Sequence, residues 1–385
     1  MKKRLITMAA AGAVAAITGV ASAEKSLEQR VVELEKQLAA KNQASQTGGN
    51  SVGDMSLGNF MNKTTIGGYG EVHYNNISGY DDQIDFHRFV LFFGHKFNDK
   101  IRFNSELEVE HSDTSKAGAV ELEQAYIEMD LENNVQVRAG LMLVPVGIIN
   151  ETHEPPTFFG VERNIVENRI IPSTWREAGV SVSKKLDNGF SFDGMISSGL
   201  NVANTGSNAG RIRSGRTKVS EAIADSAAFT GRVSYVGFAG LKLTAFGQLN
   251  TDVVQDDSGS KSGVLYGASA QYQNGGFGLR ALYAKWDIDG DIPEAAKEQS
   301  GWYVEPSYTF DLKGGSKVGV FARYANTDYY RGGSNEEQIF TTGVNYWPID
   351  NVVFKADYQF VDVDGARAGS KDDANRFNLG VGYQF

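Results

Sequence analysis

Charged side chains of both signs occupy one of the two alternating sets of positions in many segments of the chain. The earlier set is rich in acids: Glu71, Arg88, Arg102, Glu106, Glu108, Glu110, Glu128 and Arg138. The later set is rich in bases: Arg232, Lys242, Arg280, Glu305, Arg323, Lys355, Asp357 and Arg376. Guanidinium and ammonium groups bind carboxylate or phosphate oxygens, so the basic members are candidate contacts for small anions. Two facing walls of opposite sign would filter solutes by charge, whereas any single member could be an ordinary solvated side chain.

The residues that could support catalysis do not form a recognisable active site. His153-Glu154-Pro155 lacks the second histidine of a zinc protease. A barrel hydrolase would need a Ser–His pair on one exposed strand face, and no convincing pair is found. The chain has no cysteine, which excludes thiol catalysis, disulfides and Cys-ligated zinc. The sequence therefore predicts no catalytic residue, no metal site and no cofactor.

The positions that carry these charges belong to segments with a period of two. In one such segment Phe377, Leu379 and Val381 alternate with Asn378 and Gly380. Segments of about ten alternating residues, repeated along the chain, are the signature of a transmembrane β-barrel. The pattern extends from residue 64 to residue 385.

The connections between these segments alternate between short turns and long polar loops, and one of the expected long loops spans residues 327–337. Together they join about sixteen strands, and this alternation is typical of outer-membrane barrels. A soluble β-sandwich is the alternative, but it gives no reason for such a strict alternation. The sequence predicts an all-β fold, an antiparallel transmembrane β-barrel of about sixteen strands, over residues 64–385.

One long connection, residues 144–175, differs from the others in composition. It holds Pro145, Pro155, Pro156 and Pro172, and it is also rich in Phe and Ile. Long loops of this kind are usually functional, and proline prevents extra strand pairing. We expect this loop to fold into the barrel and narrow it, with Glu162, Arg163 and Arg169 facing the solute. The alternative is a cap on the rim or against a neighbouring subunit.

The N-terminal region contains three further segments. A basic start, an apolar stretch and the small residues Ala21-Ser22-Ala23 predict a signal peptide over residues 1–23, with a membrane anchor as the alternative. Leu27, Val31, Leu34 and Leu38 form a heptad seam within residues 24–41. We expect a short self-associating coiled-coil helix in the periplasm, although a helix packed on its own domain is also compatible. Residues 42–63 are rich in Gln, Ser, Gly and Asn and predict a flexible linker.

Composition limits the classes of protein to which the chain can belong. Its 385 residues include 37 Lys and Arg against 47 Asp and Glu, a net charge of −10. This acidic balance argues against nucleic acid as a partner. Asp287-Ile288-Asp289-Gly290-Asp291 resembles half of a calcium loop but lacks the remaining ligand spacing. Acidic loops of this kind could still hold divalent cations that bridge lipopolysaccharide.

Several short motifs resemble the phosphate-selective porin O and P family. They are Ile66-Gly67-Gly68-Tyr69-Gly70, Phe86-His87-Arg88, Glu162-Arg163-Asn164, Val344-Asn345-Tyr346-Trp347 and the aromatic C-terminus at Phe385. The N-terminal heptads resemble the periplasmic coiled coil of dicarboxylate-channel porins. The resemblance implies a homotrimer of sixteen-stranded channels in the bacterial outer membrane, in contact with lipid and lipopolysaccharide.

The expected function is passive diffusion of small hydrophilic solutes, with a preference for anions such as phosphate or carboxylates. The candidate channel-lining residues are Arg88, Arg102, Arg138, Glu162, Arg163, Arg169, Arg232, Lys242, Arg280, Arg323, Lys355 and Arg376. A structural protein that tethers the envelope through its periplasmic helix is the alternative function.

Overall fold

The computed structural model describes residues 57–114, 118–255, 261–290 and 292–385. The predicted signal peptide, the coiled-coil helix and residues 42–56 of the predicted linker lie outside the described residues. The last seven residues of that linker form helix α1 (Leu57–Lys63). The chain divides into two units, residues 1–62 and 63–385. No helix in the described part of the chain is long and apolar enough to cross a membrane.

The second unit is a closed barrel of sixteen antiparallel strands, as the sequence predicts. Every strand pairs with its neighbours in the chain, and β1 pairs with β16 to close the sheet. The strands are β1 (Thr64–Ile77), β2 (Gln83–Lys96), β3 (Ile101–Glu110), β4 (Val120–Asp130), β5 (Val135–Leu143), β6 (Arg176–Lys185), β7 (Phe190–Ser197), β8 (Ala228–Phe238), β9 (Leu241–Asn250), β10 (Gly263–Asn274), β11 (Phe277–Ile288), β12 (Glu298–Asp311), β13 (Lys317–Tyr330), β14 (Ser334–Ile349), β15 (Val352–Gly365) and β16 (Arg376–Gln384). One short helix, α2 (Val166–Arg169), lies in the long connection between β5 and β6.

Short turns join the strands at one end of the barrel, and most connections at the other end are long. One expected long connection, residues 327–337, is wrong. Strand β13 continues to Tyr330 and β14 begins at Ser334, so only three residues join them. The polar side chains of Asn335 and Glu337 are fully buried inside the barrel. Their polarity therefore reflects burial in the interior and not a solvated loop.

The two-residue period separates an apolar outer face from a polar inner face. On β16, Phe377, Leu379 and Val381 are exposed on the outside, whereas Asn378 and Gly380 point inward and are buried. Strands of this kind leave no backbone group unpaired in hydrocarbon, because the sheet closes on itself. The outer face is the surface that contacts lipid.

Part of the interior is filled by a packed apolar core. It includes Trp175, Leu200, Trp286 and Tyr303, all almost completely buried, and the ring centroids of the two tryptophans are 6.0 Å apart. The core combines residues of the 144–175 loop and of the β7–β8 connection with inward side chains of β9 to β13. On this side of the barrel the inward positions therefore face packed apolar side chains and not water.

Candidate permeation site

The connection between β5 and β6, residues 144–175 (the inner loop), lies inside the barrel. Its backbone is bound by inward side chains of the opposite wall. Lys355 Nζ donates a hydrogen bond of 2.8 Å to the Gly160 carbonyl oxygen, and Val161 N donates one of 2.6 Å to Asp357 Oδ2. Asn345 Nδ2 also donates to a carbonyl of the inner loop. The loop therefore spans the interior from β5 to β14 and β15.

Two glycines of the barrel wall allow the inner loop to approach closely. A Cβ atom added to Gly382 would lie 2.3 Å from Pro155 Cβ, and one added to Gly319 would lie 2.7 Å from the ring of Phe159. Both distances are far shorter than a van der Waals contact. At these two positions the wall carries no side chain because the inner loop occupies the space.

The second half of the inner loop is anchored in the apolar core. Trp286 Nε1 donates a hydrogen bond of 2.9 Å to the Ile170 carbonyl oxygen, and Tyr303 Oη donates one of 2.7 Å to Glu167 Oε1. Glu167 Oε2 accepts the backbone N–H groups of Ile148 and Ile149. Burial raises the pKa of Glu167. This carboxyl group ties the beginning of the loop to its end.

A cavity of about 300 Å³, the arginine cavity, lies between the inner loop and the wall formed by β1 and β13 to β16. Four of the predicted site residues line it: Arg163, Arg169, Arg323 and Arg376. The predicted Glu162 also lines it, but this carboxylate already accepts hydrogen bonds from His73 and Asn75. The remaining polar lining is mainly amide and hydroxyl side chains, and the cavity is therefore a basic, hydrogen-bonding environment.

Several nitrogen atoms of these arginines are buried without a protein partner. Nη2 of Arg163 and the Nε atoms of Arg169 and Arg376 have no hydrogen-bond partner among the described residues. The guanidinium of Arg169 lies 5.3 Å from the ring centroid of Tyr329. Burial, together with the nearby Arg88, lowers the pKa of Arg163. Buried donors of this kind are stabilised by an anionic or water partner.

The predicted arginines of the first strands are paired with acids of the same wall. Arg88 lies 3.1 Å from Glu71 and 3.0 Å from Glu108, measured between charged atoms. Arg102 donates a hydrogen bond of 2.9 Å to Asp130 and also pairs with Glu128. These pairs neutralise charge within the acid-rich wall and reduce the field that it could exert across the interior.

Arg138 also pairs with Glu128, and it lines a second cavity of about 260 Å³ between the start of the inner loop and β4 to β7. Glu151 and Asp193 line this second cavity as well. Both carboxylates pair with Arg232, and the distance from Arg232 Nε to Asp193 Oδ2 is 2.8 Å. The second cavity is therefore polar and carries both signs of charge.

Three further predicted residues do not line either cavity. Arg280 Nη2 donates a hydrogen bond of 2.8 Å to the Thr157 carbonyl oxygen, and Lys355 Nζ lies 3.7 Å from the ring centroid of Phe158 in addition to its bond with the loop backbone. Both side chains position the inner loop. Lys242 is exposed near the short-turn end of β9.

Two arginines that the sequence analysis missed lie in the connection between β7 and β8. Arg213 Nη1 donates a hydrogen bond of 2.6 Å to the Ser173 carbonyl oxygen, and Arg216 Nη1 donates bonds of 3.1 Å to the carbonyl oxygens of Pro172 and Thr174. Burial lowers the pKa of Arg216 to about 10, which leaves it charged at neutral pH. Because they lie in a loop without strand alternation, no periodic signal could identify them.

Comparison with known proteins agrees with this architecture. The phosphate-selective porin O and P family model matches residues 65–385. A protein of Aquifex aeolicus (strain VF5), described as uncharacterized, is 32% identical over 330 residues, which are 76% of this chain and 74% of that protein. The anion-selective porin of Comamonas acidovorans has a TM-score of 0.58 at 15% identity and covers 84% of this chain and 99% of its own. OmpT of Vibrio cholerae, in its trimer form, has a TM-score of 0.54 at 12% identity with the same two coverages. The chain therefore belongs to the phosphate-selective porin O and P family.

Proposed function

We propose that this outer-membrane porin is a passive channel for small hydrophilic solutes that favours anions such as phosphate or carboxylates. The observation that carries the anion preference is the arginine cavity. Four arginines surround it, and the one acid that lines it is already hydrogen bonded to His73 and Asn75. Guanidinium groups match the oxygen atoms of phosphate and carboxylate groups in charge and in hydrogen-bonding geometry.

The inner loop would act as the constriction of this channel. It lines both cavities, with residues 162–169 at the arginine cavity and Pro145 and Glu151 at the second cavity. A solute that crosses the barrel would contact the loop on whichever side it passes. The predicted lining residues that bind the loop backbone, Arg280 and Lys355, would then set the width of the route and not bind the solute directly.

Planar-bilayer recording tests this proposal. The purified protein should form stable aqueous pores, and its reversal potential in a KCl gradient should show that chloride permeates more readily than potassium. Replacing chloride by phosphate or a small carboxylate should preserve the anionic current. A protein that is folded by circular dichroism and silent at all voltages would contradict the channel, and a cation preference would contradict the role of the arginine cavity.

We also propose a homotrimer whose residues 24–41 form a periplasmic helix after removal of residues 1–23. The trimer form of the similar Vibrio cholerae OmpT supports the assembly, and the heptad seam supports a self-associating helix. The acidic loops would bind divalent cations that bridge lipopolysaccharide. Analytical ultracentrifugation of the detergent-solubilised protein with and without residues 24–41 tests the assembly, because loss of the seam should weaken the trimer.

A further inference from the structure

Three buried ligand atoms converge where the inner loop meets the wall of β3 and β4. They belong to Glu106 of β3, Glu123 of β4 and His153 of the inner loop, which we call the Glu–Glu–His cluster. The three side chains are 3%, 0% and 2% exposed. One potential metal-ligand atom from each side chain lies within 4.8 Å of the other two. Carboxylate oxygen and imidazole nitrogen are the ligand types of divalent transition metals.

The imidazole of His153 is oriented for metal ligation. Its Nδ1 lies 3.1 Å from the Asn150 carbonyl oxygen. A carbonyl oxygen only accepts hydrogen bonds, so Nδ1 must carry the proton. In the neutral ring the lone pair is then on Nε2, which points at the two carboxylates. Metal-ligating histidines commonly donate their other ring N–H to a backbone carbonyl in this way.

The two distances from the His153 imidazole to the carboxylates fit a tetrahedral ion better than direct hydrogen bonds. His153 Nε2 is 3.5 Å from Glu106 Oε1 and 3.4 Å from Glu123 Oε2. A charge-assisted hydrogen bond would be about 2.7–2.9 Å long. A tetrahedral zinc ion with bonds of about 2.0–2.1 Å separates its ligands by about 3.4 Å. All three atoms also have no hydrogen-bond partner among the described residues.

The second oxygen of each carboxylate lies near a neighbouring polar side chain. Gln124 Nε2 donates a hydrogen bond of 2.7 Å to Glu106 Oε2. Arg176 Nη1 lies 3.7 Å from Glu123 Oε1. The hydrogen bond orients the Glu106 carboxylate, as outer partners do at metal sites, and the Arg176 guanidinium places a positive charge beside the Glu123 carboxylate. Both contacts also leave one oxygen of each carboxylate directed at the histidine.

We propose that the Glu–Glu–His cluster binds one divalent transition-metal ion such as Zn²⁺, with a water molecule as the fourth ligand. The ion would join the inner loop to β3 and β4, and it would thereby fix the segment that leads to Pro155 and its contact with Gly382. This inference is independent of the solute that the channel carries. The competing state is a protonated His153 that is paired with both carboxylates without an ion.

Another group of side chains, Asp85, His87 and His111, provides a control. Asp85 Oδ2 lies 2.8 Å from His111 Nδ1 and 3.3 Å from His87 Nδ1, and these side chains are only partly buried. The shorter distance is that of an ordinary hydrogen bond, so the polar atoms of this group already have hydrogen-bond partners within the group. His111→Asn therefore removes an imidazole without changing the Glu–Glu–His cluster.

The test is metal binding by the purified, folded full-length protein. The protein is stripped with EDTA, dialysed against ZnCl₂ and then against buffer, and its zinc is counted by mass spectrometry. We expect about one ion per chain in the wild type. Co²⁺ should give the visible absorption of a tetrahedral site. Glu123→Gln and His153→Asn should each weaken Zn²⁺ affinity at least about tenfold, and His111→Asn should bind as the wild type does.

Two results would overturn the proposal. The first is a folded wild-type protein that retains no zinc. This result is obtained without any variant, and it would favour the protonated His153. The second is zinc binding that survives His153→Asn but is lost in His111→Asn, which would assign the ion to the other group. Circular dichroism confirms folding in each case. Because conductance is not used, a failure here leaves the proposed channel untouched, and a failed conductance test leaves this proposal untouched.

Discussion

Removing charge from the arginine cavity should change the ion selectivity of the channel. The informative variant is Arg163→Gln/Arg169→Gln/Arg376→Gln, because these three side chains carry the buried nitrogens that have no partner among the described residues. Arg323 is left intact because it is paired with Glu305 at 3.3 Å. Glutamine keeps much of the side-chain length and its hydrogen bonding, so the change is mainly one of charge.

The size of the effect follows from the dimensions of the cavity. A cavity of about 300 Å³ corresponds to a sphere with a radius of about 4 Å. An anion at its centre would then lie roughly 5 Å from each guanidinium, and each charge contributes about 0.8 kcal/mol at a dielectric constant near 80. Three charges contribute about 2.5 kcal/mol, which screening at 0.1 M salt, with a Debye length of about 10 Å, reduces to about 1.5 kcal/mol. A cation at the same place gains what the anion loses, so the two ions differ by about 3 kcal/mol. Since 1.4 kcal/mol is a factor of ten, we expect the anion-to-cation permeability ratio to fall about a hundredfold.

The assay is the reversal potential of single channels in a KCl gradient around 0.1 M. The effect on the ratio should shrink to about fivefold near 1 M salt, where the Debye length is about 3 Å. The matched control is Lys184→Gln/Lys185→Gln/Lys242→Gln, which removes three positive charges near the short-turn end of the barrel, outside the cavity. An arginine variant that is folded and conducts with an unchanged reversal potential at 0.1 M would refute the reasoning. An equal shift in the lysine control would show that the total charge matters and the cavity does not.

Three other predictions concern the inner loop and the N-terminal helix. Gly382→Val should lower the free energy of unfolding by about 1–3 kcal/mol, because the new side chain overlaps Pro155; unchanged denaturant unfolding would contradict the close approach. Burial alone would raise the pKa of Glu162, but the charge and hydrogen bond of His73 hold it far below its usual range. Its contribution to stability is therefore complete above about pH 4.3 and is lost as the pH falls toward the lowered pKa. Glu162→Gln should accordingly make the free energy of unfolding less dependent on pH between pH 5 and pH 2. Deletion of residues 27–38 should weaken the trimer in sedimentation experiments and leave single-channel conductance intact; a folded but silent deletion variant would place the helix in the channel itself.

The alternation of side chains was sufficient to predict the barrel and the direction of its charged residues. A strand has only two faces, so an assignment at one position fixes the others. Arg323 and Arg376 point into the arginine cavity for this reason. The wrong prediction of a loop at residues 327–337 also arises from an inward strand face. Asn335 and Glu337 are polar on an inward face, and composition alone does not distinguish a buried polar strand end from a loop.

The partners of the inward charges could not be predicted from alternation. Arg88 and Arg280 were equivalent candidates in the sequence, yet one is paired with two acids and the other holds a carbonyl of the inner loop. These contacts depend on register between strands and on the path of a 32-residue loop, counted from 144 to 175. The convergence of Glu106, Glu123 and His153 is similar, since its members come from three elements and have no motif spacing.

The apolar core inside the barrel determines where a solute can pass. Side chains packed to the density of a protein interior exclude water, and the core occupies the inward face of β9 to β13 around Trp175 and Trp286. Neither cavity is lined by β9 to β12. The aqueous route is therefore expected along the remaining wall, past Arg163 and Arg169 on one side of the inner loop and past Arg138 on the other. Filling part of the lumen would bring a solute within a few ångströms of these guanidinium groups, and at that distance a small number of charges is sufficient to discriminate between ions.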